Sequence, residues 1–252
     1  MNCDCKLLHG RRVEGLPDSL RPRIFAGLSD HGLAGILAQA RHQRFATDSV
    51  VLNEGDAAES IFLLTCGQGA HFVVTDEGRK ILVHWLTAGQ IFGGAALLSP
   101  PCPYLTSTEV HSGSCALVWS RRDIREIVME HPVLLDNALS ISATEHFAWQ
   151  LASRISITTE EAPVRLARLL VSLACGIGRS KPDGVEILVA NEDLAGATGV
   201  TPYTVSRLIA EWQRAGIIRK GRGRIILRRP ELLAVRIQSP SKSPIDARRS
   251  VA

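Results

Sequence analysis

The residues best suited to chemistry in this chain are three hydroxyl side chains, Thr201, Thr204 and Ser206, and an arginine beyond them, Arg222. Hydroxyl and guanidinium groups donate hydrogen bonds to phosphate oxygens and to base edges, so the set suits a nucleic acid. Such contacts need an element that holds them rigidly. Residues 191–212, Asn-Glu-Asp-Leu-Ala-Gly-Ala-Thr-Gly-Val-Thr-Pro-Tyr-Thr-Val-Ser-Arg-Leu-Ile-Ala-Glu-Trp, read as a helix-turn-helix. Two helices crossing at a fixed angle require a small residue at the crossing, a glycine in the turn and apolar residues facing inward. Ala195 is the small residue, Gly199 follows four later, and Leu194, Val200, Val205 and Leu208 supply the apolar side. Asn191 is expected to cap the first helix, with Glu192 and Asp193 in its first turn, where the helix dipole favours acids. Thr201 is expected to cap the second, with Pro202 at its first position, where a missing N–H costs nothing. The competing reading is an ordinary helical hairpin.

The next segment favours the first reading. Gly216-Ile-Ile-Arg-Lys-Gly-Arg-Gly-Arg-Ile-Ile-Leu-Arg228 reads as a β-hairpin, with strands Ile217–Lys220 and Arg224–Arg228 and the turn Gly221-Arg222-Gly223. A basic hairpin after a recognition helix is a wing, and Arg222 at its tip is placed to touch phosphate or the minor groove. Charge divides the same way. Residues 1–160 carry a net −4 and residues 161–252 a net +8. A basic C-terminal part behind a mildly acidic front part is the electrostatic footprint of a DNA-binding domain joined to a sensor domain.

The 252 residues suit two domains, and 45% hydrophobic with 21% charged residues suits a globular chain. No apolar run approaches a membrane span, and the first residues lack the apolar stretch of a signal peptide, so a cytoplasmic location is expected. The six cysteines, at 3, 5, 66, 102, 115 and 175, are too sparse for a disulfide scaffold. No nucleophile–base set, His-Glu-x-x-His signature or phosphate loop is present, so no enzyme activity is expected.

Residues 24–119 read as short strands punctuated by glycine: Val50–Leu52, Ile61–Leu64 ending at Gly67 and Gly69, His71–Thr75, Lys80–Leu86, Ile91-Phe92, Tyr104–Val110 and Cys115–Trp119. That cadence predicts a β-barrel or β-roll. Here the residues resemble a known family. Leu52-x-Glu-Gly-Asp56, Ile61-Phe-Leu-Leu64-x-x-Gly67, Gly89-Gln-Ile-Phe-Gly93 and then the helix-turn-helix are similar to the Crp/Fnr family of bacterial transcription regulators, over roughly residues 24–235. The resemblance implies an α+β chain with an N-terminal β-roll (a cyclic-nucleotide-binding-like jelly roll), a long dimerisation helix and a C-terminal winged helix-turn-helix. It further implies a homodimer on double-stranded DNA with a palindromic operator, and RNA polymerase as a partner.

Ser120 is expected to cap a helix, Arg121–Glu130, that stops before Pro132. From Val133 the pattern is helical, and Leu134, Ala138, Ile141, Glu145, Ala148, Ala152 and Ile155 alternate at spacings of four and three. That is a coiled-coil seam broken once by Glu145, or else the inner face of a helix packed on its own domain. Residues 161–163 mark a hinge, and Arg165–Ala174 the first helix beyond it. The expected divisions are an arm (1–23), the β-roll (24–130), the dimerisation helix and hinge (131–160), the winged helix-turn-helix (161–236) and a disordered tail (237–252).

The family reads cyclic nucleotides with a Phe-Gly-Glu and an Arg-Ser or Arg-Ala pair in one loop. The matching Glu position here is Gly94 and the Arg position Leu105. A charge-assisted hydrogen bond contributes ~1.5–3 kcal/mol, so losing both is expected to abolish tight cyclic AMP binding. A haem-binding branch uses a Cys and a His in that loop, where this chain has Gly93 and Ala95, and His71 and His84 read as structural strand residues. An iron–sulfur branch needs four thiolates. Cys3, Cys5 and Cys115 fall in matching regions and Cys102 is a possible fourth, so a redox or cluster sensor is the alternative reading. Otherwise the effector and any cofactor are unassigned, and an apolar pocket would lie near Phe92, Leu97, Trp85 and the helix around Trp149. In the family the second helix reads Arg-Glu-Thr-Val-x-Arg. Here it is Pro202-Tyr-Thr-Val-Ser-Arg207, so the resemblance keeps Arg207 as a guanine reader while Pro202 and Tyr203 change the half-site. Thr201, Pro202, Tyr203, Thr204, Ser206, Arg207 and Arg222 form the candidate DNA-binding set.

Overall fold

The computed structural model describes residues 22–111 and 113–238, in two compact units that divide between Trp149 and Gln150. Cys3 and Cys5, nearly all of the arm, and positions 239–252 of the tail lie outside the described residues.

The first unit opens with a 3-10 turn, Arg23–Phe25, and a helix, α1 (Asp30–Ala38). The strand pattern read for residues 24–119 misses this helix. Gly32 and Gly35 lower its propensity, but Ser29 caps it, its Oγ accepting from the Gly32 N–H at 3.1 Å, and Leu33 and Ile36 are buried. Eight strands follow: β1 (Arg41–Phe45), β2 (Ser49–Leu52), β3 (Ser60–Cys66), β4 (Gln68–Val74), β5 (Lys80–Thr87), β6 (Ile91–Phe92), β7 (Ser107–Val110) and β8 (Ser114–Ser120). They form two antiparallel sheets, ordered β1-β8-β3-β6 and β2-β7-β4-β5, the roll expected from the strand cadence. Leu63, Leu64, Leu86, Val110 and Ala116 are almost wholly buried in one core, and Phe62 stacks on Phe92 with ring centroids 4.7 Å apart. The Trp119 indole N–H finds the Ile36 carbonyl at 2.9 Å, so its burial strands no donor. Gly69 does not end a strand but lies inside β4. Gly67 makes the turn between β3 and β4 at φ +86°, and a Cβ there would lie 2.1 Å from the Ser114 Oγ.

Beyond β8, α2 (Arg121–Glu130) is capped by Ser120, whose Oγ accepts from the Asp123 N–H at 3.1 Å, as the sequence predicts. Helix α3 (Val133–Ile141) leads through a π turn, Ser142–His146, into α4 (Phe147–Thr159). The expected coiled-coil seam is corrected here. Leu134 is 1% exposed in the first unit's core, and Ala138 and Ile141 pack against that core, so this half of the seam faces its own domain. The π turn adds a residue to one turn and breaks the heptad count. Along α3 and α4 the exposed large apolar side chains are Leu135, Leu139 and Phe147 in the first unit and Leu151, Ile155 and Ile157 in the second, of which Ile155 alone belongs to the expected seam.

The second unit holds the rest of α4, then α5 (Ala162–Gly176), β9 (Arg179–Lys181), β10 (Gly184–Leu188), α6 (Asn191–Thr198), α7 (Pro202–Arg214), β11 (Ile218–Gly221), β12 (Arg224–Leu227) and α8 (Pro230–Gln238). The strands make one antiparallel sheet, β11-β12-β10-β9. β9 and β10 escape the sequence reading because they are short and β9 is wholly exposed. α8 also escapes it. The hairpin stands one residue from its expected register: Gly221 pairs with Arg224, and Arg222-Gly223 is the turn, with Gly223 at φ +65°.

Replacing Gly67 with Ala is expected to destabilise the first unit by about 1–3 kcal/mol, since it combines a left-handed backbone with a clash. Thermal unfolding of the variant reads this as a lowered midpoint; an unchanged midpoint would refute it.

Candidate nucleic-acid interface

The second unit's basic surface is built outward from α7. Val205, Leu208, Ile209 and Trp212 are buried at helical spacing, which leaves Pro202, Tyr203, Ser206 and Arg207 on the outward side. Tyr203 is 77% exposed on that side. Ala195 is 4% exposed where the helices meet, and Gly199 ends α6 in the left-handed conformation at φ +64°, both as expected. Thr201 caps α7, its Oγ1 accepting from the Thr204 N–H at 3.1 Å with the two threonine hydroxyls 3.0 Å apart.

Ser206 has a partner, Asn191, that the sequence does not reveal. Asn191 does not cap α6. The cap position is Ala190, whose N–H donates to Asp193 Oδ2 at 3.4 Å, while Asn191 is the helix's first residue. The Asn191 amide instead donates from Nδ2 to Ser206 Oγ at 2.8 Å and accepts at Oδ1 from Lys220 Nζ at 2.7 Å. The Lys220 N–H in turn donates to Gln213 Oε1 at 2.9 Å. These bonds tie the wing, the start of α6 and the outer side of α7 together. Nothing in the local sequence signals them, because the partners are 15 and 29 residues from Asn191.

The wing's charges are also sorted. Arg219 bonds Asp183 at 2.5 Å, and Arg224 and Lys181 lie 3.4 and 3.7 Å from Glu186. Arg222, at the turn, is exposed. The basic hairpin therefore commits Arg219 and Arg224 to its own sheet and presents Arg222 at its tip.

Arg165 in α5 braces the domain from behind. Its Nε donates to the Thr198 carbonyl at the end of α6 at 2.7 Å, and its Nη1 to the carbonyls of Ile157 and Glu160. Glu160 is bonded by Arg168 and by Ser156 Oγ, the latter at 2.7 Å. The Arg168 hydrogen bond, chiefly, holds the Glu160 carboxyl below the usual glutamate range, with the Ser156 bond adding to it against a desolvation that pushes the other way.

In the first unit, the loop matching the nucleotide-binding loop follows β6. Gly93 takes φ +77° where a Cβ would lie 2.6 Å from the Ser60 carbonyl, and residues Gly94–Leu97 form a 3-10 turn. Residues 93–106 contain no Asp, Glu, Lys, Arg or His. Arg121 Nη2 donates to the carbonyls of Leu98 and Ser99 at 2.8 and 2.9 Å, and Arg125 Nη1 to that of Leu97 at 2.6 Å. The Tyr104 hydroxyl donates to the Ser60 carbonyl at 2.8 Å, while Leu105 is 81% exposed. His71 and His84 are cross-strand partners with His71 Nδ1 2.8 Å from Thr108 Oγ1.

A pocket is expected near Phe92, Leu97 and Trp85. A small apolar cavity of about 20 Å³ is lined by Ile24, Phe25, Ile61, Leu97, Trp119 and Leu134, among others. Of the three only Leu97 borders it; Phe92 stacks on Phe62, and the Trp149 side chain is outside the description. A space of that size holds little more than one water, and its walls offer no polar partner. Cys115 is buried in β8 and Cys102 is half-buried in the loop. Among the described residues no three of His, Cys, Asp or Glu come together as a metal site.

Two family models match this chain: a cyclic nucleotide-binding domain over residues 42–131 and a Crp-like helix-turn-helix domain over residues 164–236. The chain belongs to the Crp/Fnr family. Among its relatives is the cAMP-activated global transcriptional regulator CRP of Pasteurella multocida, 24% identical over 191 residues, covering 71% of this chain and 86% of the relative. Among solved structures, a CRP-family transcriptional regulator from Thermus thermophilus has a TM-score of 0.66 at 24% identity, covering 78% of this chain and 97% of that one. The c-di-GMP responsive global regulator CLP of Xanthomonas campestris also reaches 0.66, at 16% identity, covering 79% and 99%. This Crp/Fnr chain is thus a DNA-binding transcription regulator with a sensor-type roll and a winged helix-turn-helix. No helix among the described residues is long and apolar enough to cross a membrane.

Because the Glu160 pKa is lowered on folding, its stabilising effect is present above the ordinary glutamate range and lost as pH falls through the folded value. Thermal unfolding is therefore expected to weaken on acidification into that range, and Arg168→Ala to reduce the dependence. An identical pH profile for the variant would rule out the pair as its source.

Proposed function

We propose that this regulator binds a palindromic operator as a homodimer, with α7 of each chain in the major groove, half-sites one helical turn apart, and an effector other than cyclic AMP. The observation that carries the DNA reading is the outward side of α7, where Tyr203, Ser206 and Arg207 are presented while the opposite side is buried. Arg207 is assigned to a guanine, Tyr203 and Pro202 to a half-site unlike the family's usual one, and Thr201, Thr204 and Arg222 to phosphates. Ser206 is held by Asn191 and so contacts DNA from a fixed position. Leu135, Leu139, Phe147, Leu151 and Ile155, exposed on α3 and α4, support pairing of two chains there, since exposed large apolar side chains in such number call for a partner. Membership of this family supports a cytoplasmic regulator that acts on RNA polymerase.

The uncharged loop 93–106 supports the view that cyclic AMP is not the effector. The Pasteurella relative is named as cAMP-activated and the Xanthomonas one as c-di-GMP responsive, so the shared fold serves different effectors. Here neither Gly94 nor Leu105 offers a charge to a phosphate or ribose, and Arg121 and Arg125 are committed to backbone carbonyls. A cluster on Cys3, Cys5 and Cys115 is the second reading; anaerobic purification with an iron assay tests it.

Sedimentation with an operator selected from random DNA is expected to give two chains per duplex. Arg207→Ala is expected to weaken binding by about 1–3 kcal/mol and relax preference at one base pair of each half-site. Wild-type affinity and preference in that variant would remove Arg207 from the reading set. Isothermal titration with cyclic AMP is expected to show no saturation at micromolar nucleotide, and a saturating isotherm would overturn the effector reading.

A further inference from the structure

We propose that Cys66 and Cys115 are a peroxide-oxidisable dithiol, closing to a disulfide across β3 and β8. The two residues are direct partners in the register of the antiparallel pair, where the strand bulges between Leu64 and Cys66. In a regular antiparallel pair opposed Cα atoms stand about 4.5–5.5 Å apart, and a disulfide spans roughly 4.4–6.8 Å, so register partners are the positions from which a disulfide can form. The bulge matters, because without the extra residue Cys66 would face the other side of the sheet from Cys115. The surroundings hold the two strands in place. The Cys66 thiol donates to the Gly113 carbonyl at 3.8 Å, over the entry to β8, and Thr65 Oγ1 donates to the Cys115 carbonyl at 3.0 Å. Ser114 Oγ accepts from the Gln68 N–H and donates to the Gln68 carbonyl, each at 3.2 Å, on the other side of the turn at Gly67.

The pair is also unequal. Cys66 is half-buried at the strand's end, while Cys115 is 0% exposed. The oxidant is hydrogen peroxide. The Cys66 thiolate attacks one peroxide oxygen, the O–O bond breaks, and sulfenic acid and water result. The Cys115 thiolate then attacks the Cys66 sulfur, the S–O bond breaks and its oxygen leaves as a second water. The two thiols have lost two electrons and two protons, and the peroxide has become two waters. This chemistry does not depend on the DNA-binding reading, and because it uses Cys115 it competes with the cluster reading on Cys3, Cys5 and Cys115.

The test treats the full chain with hydrogen peroxide, blocks remaining thiols and maps peptides without reduction. The expected result is a linked peptide joining Cys66 to Cys115, two hydrogens lighter than the separate peptides and released by a thiol reductant. Cys66→Ser is expected to abolish the link and leave Cys115 unmodified. Cys115→Ala is expected to leave Cys66 as a sulfenic acid that dimedone captures. Cys66 joined to Cys102 or Cys175, or driven to sulfinic acid in the wild-type protein with no link to Cys115, would overturn the proposal. Should either variant fail to fold, the wild-type map decides alone.

Discussion

The burial of Val205, Leu208, Ile209 and Trp212 along one side of α7 is the constraint on which the second unit depends. A helix has one surface to bury and one to present, and these four residues settle which is which. Once they are seated, Pro202, Tyr203, Ser206 and Arg207 have nowhere to go but outward. Gly199 allows the preceding turn, because only a residue at ease in the left-handed region can end α6 there and let Thr201 cap α7. The apolar side thus does the folding, and the polar side is left over to bind.

Around this helix the unit fixes position with polar bonds as well as with core. Asn191 joins Ser206 and Lys220, and Arg165 reaches the carbonyls that end α4 and α6. Helix C-termini leave carbonyls without partners, and a guanidinium satisfies several at once. Polar pairing governs the wing as well. Carboxylates at Asp183 and Glu186 hold Arg219 and Arg224 to the sheet, so the net positive charge of the C-terminal part overstates the number of cations available to DNA.

The first unit keeps the shape of a nucleotide-binding roll without its charges. Gly93 is required by close approach to the Ser60 carbonyl, and the loop after it is held by Tyr104, Arg121 and Arg125 through backbone carbonyls. These bonds preserve the loop's path whatever its side chains are. The geometry of the roll and the chemistry of its loop are therefore separable, which is how one fold comes to serve unlike effectors.

Much of the architecture was legible from local chemistry. The helix-turn-helix followed from Ala195, Gly199, Thr201 and Pro202, the cap of α2 from Ser120, and the roll from glycine-punctuated apolar runs, because each rests on contacts within a few residues. α1 was hidden by its glycines and β9 by its lack of apolar residues, so local propensity argued against elements that packing and pairing stabilise. The coiled-coil seam through Leu134 failed for a related reason. A heptad shows that a helix has an apolar side but not what covers it, and Leu134 went to its own core. The sequence by itself determined the family, the two units and the chemical types on the outward side of α7. Only the tertiary structure decided that Asn191 bonds Ser206 and Lys220, that Arg222 is the wing's outward cation, and that Cys66 stands opposite Cys115, since each depends on residues far apart in the chain meeting in space.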